Sequence, residues 1–141
     1  MLIDKLLFSD RVPLLLKKNL DFKSQRNLLI SSNLSNVSTP GYKSQEINFK
    51  EQLKSAMVLK NELPLHTTHE NHMGPSNEAL KNLKPEAFEE DDAARSDGNN
   101  VNLDKEMGKL AENQIMYNAT VQIMSKRGST VKAAITEIPQ Q

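Results

Sequence analysis

The sequence predicts a mainly α fold, with one long helix at each end and an irregular middle segment containing short strands. Three observations carry this. An apolar heptad repeat runs through the last third of the 141 residues. A stretch free of Pro and Gly, rich in Leu, runs from Leu14 to Val37. Between them, Pro64, Pro75, Pro85, Gly74, Gly98 and the acid run Glu89–Asp92 break any long periodic element.

The C-terminal helix is the clearest element. Alternating steps of four and three from Leu103 land on Met107, Leu110, Gln114, Tyr117, Val121, Met124, Gly128, Val131, Ile135 and Ile138. Only Gln114 and Gly128 are not apolar, so the repeat is that of a coiled-coil seam. Asn102 is placed as the N-cap, and Asp104 and Glu106 sit in the first turn, where the helix dipole favours acids. A helix over 103–138 would be ~54 Å long and needs a partner helix. Ala111, Ile115, Ala119, Ile123 and Ala133 give it a second, weaker apolar flank. Gly128 marks either a close helix approach or a bend.

The N-terminal helix is the candidate partner. Pro13 suits a first turn, with Ser9 or Asp10 upstream as caps. Leu16, Leu20, Ile30, Leu34 and Val37 share one heptad phase. Thr39-Pro40-Gly41-Tyr42 then stops the helix, and Pro-Gly favours a type II turn with φ > 0 at Gly41. Glu46-Ile47-Asn48-Phe49 alternates as a short strand, and residues 51–60 suit a short helix. Asp97–Asn100 forms a turn into the long helix. The organisation is therefore 1–38 as an N-terminal assembly helix, 39–100 as the irregular middle, and 101–141 as a C-terminal assembly helix. The two ends form one coiled-coil domain.

Composition excludes several functions. With no Cys, the chain has no disulfide framework, Cys-zinc site or thiol nucleophile. A net charge of zero argues against a nucleic-acid binder. That zero divides into +4 over residues 1–50, −5 over 51–100 and +1 over 101–141. Aromatics at 4% leave little from which to build a pocket for a small-molecule substrate, so the chain reads as a non-enzyme without a cofactor. His66, His69 and His72 are spaced for metal only if helical, and Pro64, Pro75, Thr67 and Thr68 oppose a helix there. They read as surface residues. Asp4, Lys5, Asp10 and Arg11 interrupt the short apolar N-terminus, so no cleaved secretory signal is expected.

The segment 31–43, S-S-N-L-S-N-V-S-T-P-G-Y-K, resembles the signature of the flagellar basal-body rod protein family. Asn33, Asn36, Thr39, Pro40, Gly41, Tyr42 and Lys43 coincide in register with its A-N-N-I-A-N-x-x-T-P-G-Y-K pattern. Residues 98–119 look like the C-terminal signature of its proximal rod members, through Val101, Leu103, Glu106, Met107, Leu110, Ala111, Asn113, Gln114, Tyr117 and Ala119. The resemblance implies that the terminal helices pair as an antiparallel coiled coil. It implies helical self-assembly into the hollow, periplasm-spanning rod, with other rod proteins, the membrane-ring protein and the adaptor at the rod base as neighbours. Export would run through the flagellar type III apparatus. The expected assembly seam comprises Leu16, Leu20, Ile30, Leu34 and Val37 with Leu103, Met107, Leu110, Gln114, Tyr117, Val121, Met124, Val131 and Ile135. The competing reading is a soluble coiled-coil adaptor or export chaperone.

Overall fold

The computed structural model describes residues 12–58 and 78–136. Helix α1 spans Val12–Ser35, strand β1 Gln45–Glu46, helix α2 Phe49–Val58, helix α3 Glu78–Asn82, strand β2 Phe88–Glu89 and helix α4 Leu103–Thr136. The two long helices run antiparallel. Asn33 meets Glu106, Lys23 meets Asn113, and Asn19 meets Thr120, so one number falls as the other rises. At ~1.5 Å per residue α4 is about 51 Å long and α1 about 36 Å, so α4 outruns its partner.

Three of the helix ends have a local cause. Asn102 caps α4: its Oδ1 accepts the Lys105 N–H at 3.1 Å. Asn48 caps α2 in the same way, through the Glu51 N–H at 3.2 Å. That cap corrects the expected strand. Only Gln45 and Glu46 pair with β2, in antiparallel register Gln45↔Glu89 and Glu46↔Phe88, and Phe49 already opens a helix. The short α3 was not foreseen. Its five residues are too few for an apolar period to show. The turn after α1 forms as expected. Gly41 has φ +72°, and the Tyr42 N–H reaches the Thr39 carbonyl at 3.3 Å, as a type II turn requires.

The core is thin. Phe22, Ile30, Ile47, Leu80 and Val101 are its buried apolar residues among those described. Phe22 and Phe49 meet edge to face with ring centroids 4.8 Å apart. The β1–β2 pair and α2 lie against this end of α1, and the Lys18 ammonium ties α1 to the Leu83 carbonyl at 2.8 Å. Gln52 closes the unit by pairing its side-chain amide with both backbone groups of Glu86. Gly128 faces open space, so among the described residues it marks no close helix approach.

Candidate assembly interface

The turn that ends α1 and the turn that begins α4 are locked together by three asparagines. Asn33 is 0% exposed and uses its full amide capacity. Its Nδ2 donates to the Gln45 carbonyl and to Glu106 Oε2, both at 2.9 Å. Its Oδ1 accepts from the Gln45 N–H at 3.0 Å and from the Tyr42 hydroxyl at 3.2 Å. The side chain thus substitutes for a strand neighbour of Gln45 while holding α4. Asn99, also fully buried, donates from Nδ2 to the Asn36 and Thr39 carbonyls at 2.9 and 2.8 Å. Both carbonyls belong to the turn that follows α1, where they also accept the Thr39 and Tyr42 N–H groups. Its Oδ1 accepts the Val101 N–H at 2.7 Å. Asn100 holds the Ser44 N–H and the Glu90 carbonyl, each at 2.7 Å.

Two glycines let these turns approach. The Gly41 N–H donates to the Asp97 carbonyl at 2.9 Å. Gly98 has φ +82°, and a Cβ there would stand 3.4 Å from Gly41 Cα. The positive φ at both positions is what calls for glycine. Arg95 braces the same corner by donating to the Val37 and Val101 carbonyls at 3.2 and 2.9 Å.

Along the helix pair, the inner face of α4 is polar. Glu106, Asn113 and Thr120 are its buried residues, spaced by seven. Asn113 donates to the Lys23 carbonyl at 2.9 Å, and Thr120 pairs with Asn19 at 3.3 Å. Glu106 is 1% exposed and belongs to a charged cluster that joins α1, β1, α4 and the segment after β2. Lys109 Nζ lies 2.7 Å from Glu106 Oε1, 2.7 Å from Glu90 Oε2 and 3.4 Å from Glu46 Oε2. Arg26 grips Glu46 with two bonds of 2.8 and 2.9 Å. Lys105 adds ion pairs to Glu90 and Asp92.

The titrations follow from this geometry. Burial pushes the Glu46 carboxyl up, but the Arg26 guanidinium, the Ile47 N–H and the Lys109 charge outweigh it and hold the group below the usual range. Glu90 behaves alike: burial raises it, and the bonds from Lys109, Lys105 and Ser44 bring it lower. For Lys109, burial works against the charged form, yet the bonds to Glu106 and Glu90 keep its pKa above the ordinary lysine value.

The apolar repeat of α4 lies on a different face. Leu103 and Met107 are 49% and 51% exposed, and Tyr117, Val121, Met124 and Ile135 are exposed as well. Ile115 and Ile123 of the second flank are exposed too. Of the other seam positions, Ile30 is buried, Leu16, Leu20, Leu34, Val37, Leu110 and Val131 are half-buried, and Gln114 is exposed. Ile138, residues 2–8, Ser9, Asp10 and His66, His69 and His72 lie outside the described residues. Of the motif at 33–43, Asn33 is buried, Asn36 and Tyr42 are half-buried, and Thr39, Pro40, Gly41 and Lys43 are exposed. The structure brings Asn33, Asn36, Thr39, Gly41 and Tyr42 into one hydrogen-bonded corner.

Sequence reasoning overlooked Asn99, Asn100, Lys109 and the role of Glu106, Asn113 and Thr120. A polar set repeating every seven residues on a predicted helix was the available signal for the last three. Lys109 and the asparagine pair carried none. Among the described residues, no helix is long and apolar enough to cross a membrane, and no cluster of His, Asp and Glu is placed to hold a metal.

No family model matches the chain. Curated relatives do. Flagellar basal body rod protein FlgB of Borreliella burgdorferi is 32% identical over 110 residues, covering 75% of this chain and 82% of that protein. FlgB of Bacillus subtilis is 32% identical over 108 residues, covering 77% and 80%. FlgB of Salmonella typhimurium is 27% identical over 112 residues, again covering 77% and 80%. With identity at this level spread over most of both lengths, and with the two signature turns clasped in one corner, the chain belongs to the FlgB family of flagellar basal body rod proteins, which are structural subunits and not enzymes.

Proposed function

We propose that this proximal rod subunit assembles through the outward apolar face of α4, while the polar inner seam and the asparagine corner fix the shape of each copy. One observation carries the reading: α4 buries Glu106, Asn113 and Thr120 on its inner face and leaves most of its apolar heptad repeat exposed. An apolar stripe of this length on one subunit is a surface for association. Within the subunit, residues 1–38 and 101–141 act as one coiled-coil assembly unit and 39–100 as the middle segment. The neighbours are further copies, other rod proteins, the membrane-ring protein and the adaptor at the rod base. Delivery runs through the flagellar type III apparatus.

The test uses Met124→Asp and Leu34→Asp. A charge buried without a partner costs several kcal/mol. Met124 is exposed in the single copy, so its variant keeps the circular dichroism of the parent and yet abolishes swimming. Leu34→Asp blocks rod assembly too, since the side chain lies at the half-buried edge of α1. Normal swimming in both variants refutes the seam.

A further inference from the structure

A ridge and a groove lie on opposite faces of α4. The groove has a volume of about 550 Å³ and runs between α1, α4 and the β1–α2 junction. Buried Phe22 and Ile47 form its floor, and exposed Phe88 and Met116 extend the apolar surface to its edges. Lys23 and Lys50 also line it, and neither makes an ion pair among the described residues. The carboxylates that act on Lys23 are Glu46 and Glu112. Both are engaged by Arg26, at 2.8 and 3.6 Å. Burial, and then the charge of Arg26, push the Lys23 ammonium below its ordinary value. The groove therefore holds a cation short of an anion beside the exposed apolar edges at Phe88 and Met116.

The ridge is the start of the outward stripe. Leu103 and Met107 are its exposed apolar residues, and Asp104 stands beside them without an ion pair among the described residues. Leu103 and Glu112 are nine residues apart, as are Met107 and Met116. At ~3.6 residues per turn that is two and a half turns, so ridge and groove wall point in opposite directions.

We propose that a second copy of this chain seats the Leu103–Met107 ridge of its α4 in this groove, with Asp104 set against Lys23 and Lys50. The proposal rests on the rod reading above and supplies one of its contacts. Charge complementarity selects the occupant. Exposed apolar edges beside cations without ion pairs suit an apolar segment carrying an acid, and the start of α4 offers two apolar anchors around one free carboxylate. Because the two surfaces differ and face apart, each docked copy presents a fresh groove. Such a heterologous contact propagates instead of closing on itself.

The chain has no Cys, so introduced thiols are the only ones present. Full-length Lys50→Cys and Asp104→Cys chains are co-expressed in place of the native chain, and isolated basal bodies are mildly oxidised. A disulfide-linked dimer is expected only when both variants are present. Lys50→Cys with Ile135→Cys, whose second site is ~46 Å along α4 from Asp104, gives none. Basal bodies that contain both chains and yield no Lys50–Asp104 dimer overturn the docking mode, as does an equal yield from the control pair. In a charge swap, Lys50→Glu lowers the swimming fraction several-fold and Asp104→Lys in the same chain restores it. Failure of that restoration also counts against the contact. A chain missing from basal bodies refutes the rod reading instead. The same cysteine pair oxidised in concentrated purified protein then decides the docking mode: a dimer supports it and monomer refutes it.

Discussion

Replacing Asn33 by Ala tests the corner that joins the two helices. The substitution removes four hydrogen bonds, with partners on Gln45, Glu106 and Tyr42. The two to the Gln45 backbone are neutral bonds, worth ~1 kcal/mol each. The bond to Glu106 is to a charged acceptor that is 1% exposed, and its loss costs ~1.5–3 kcal/mol. Tyr42 keeps a partner in Ser32, at 3.2 Å, so its loss adds little. Water reaches half-buried Gln45 and recovers part of the rest. The net destabilisation is about 3 kcal/mol, which in a chain of this size lowers Tm by roughly 10 °C. Urea unfolding of the purified protein, followed by circular dichroism at 222 nm, measures it as a lower midpoint at unchanged slope. A loss under ~1 kcal/mol would refute the assignment of Asn33 as the central tie.

Other perturbations probe the neighbouring contacts. Gly41→Ala, forced to keep φ +72°, costs ~1–2 kcal/mol by the same unfolding assay. Gly98→Ala, forced to keep φ +82°, costs a similar amount. Asn99→Ala releases the turn that follows α1 and costs ~1–3 kcal/mol, seen as earlier amide exchange in the 36–42 turn. Glu46 and Glu90 titrate lower in the folded chain than in the unfolded one. The stability they contribute is therefore present above the unfolded glutamate pKa of ~4.3 and is lost as pH falls through the folded values. Lys109, raised on folding, contributes below the unfolded lysine pKa of ~10.4 and loses that contribution as pH rises past its folded value. Stability measured against pH should plateau between about pH 5 and 10, and Lys109→Met should flatten its acid limb. An unchanged acid limb in that variant contradicts the cluster.

The long helices were legible because each has a long period, few breakers and a sharp end. The Asn102 cap and the Pro40-Gly41 turn are local chemistry, and both stand where the residues placed them. The strand was half legible. Alternation at 46–49 was real, but the Asn48 side chain captures the Glu51 N–H and turns the chain into α2. The inner face of α4 was hidden for a different reason. Apolar periodicity finds the stripe that wants to leave water, and in a subunit built to associate that stripe need not face its own partner. Glu106, Asn113 and Thr120 join the helices by hydrogen bonds, which leave no hydrophobic trace in the sequence. Lys109 was illegible because its three carboxylates come from residues 46, 90 and 106 and meet only in the fold.

The central claim is that the apolar repeat of α4 is open in the single copy and covered in the rod. Single Met107→Cys and Val121→Cys variants, the only thiols in an otherwise Cys-free chain, can be titrated with a maleimide in purified protein and in isolated basal bodies. Both positions should label quickly in the free chain, where Met107 is 51% exposed, and be protected at least tenfold in the basal body. Equal labelling in the two states would contradict the account.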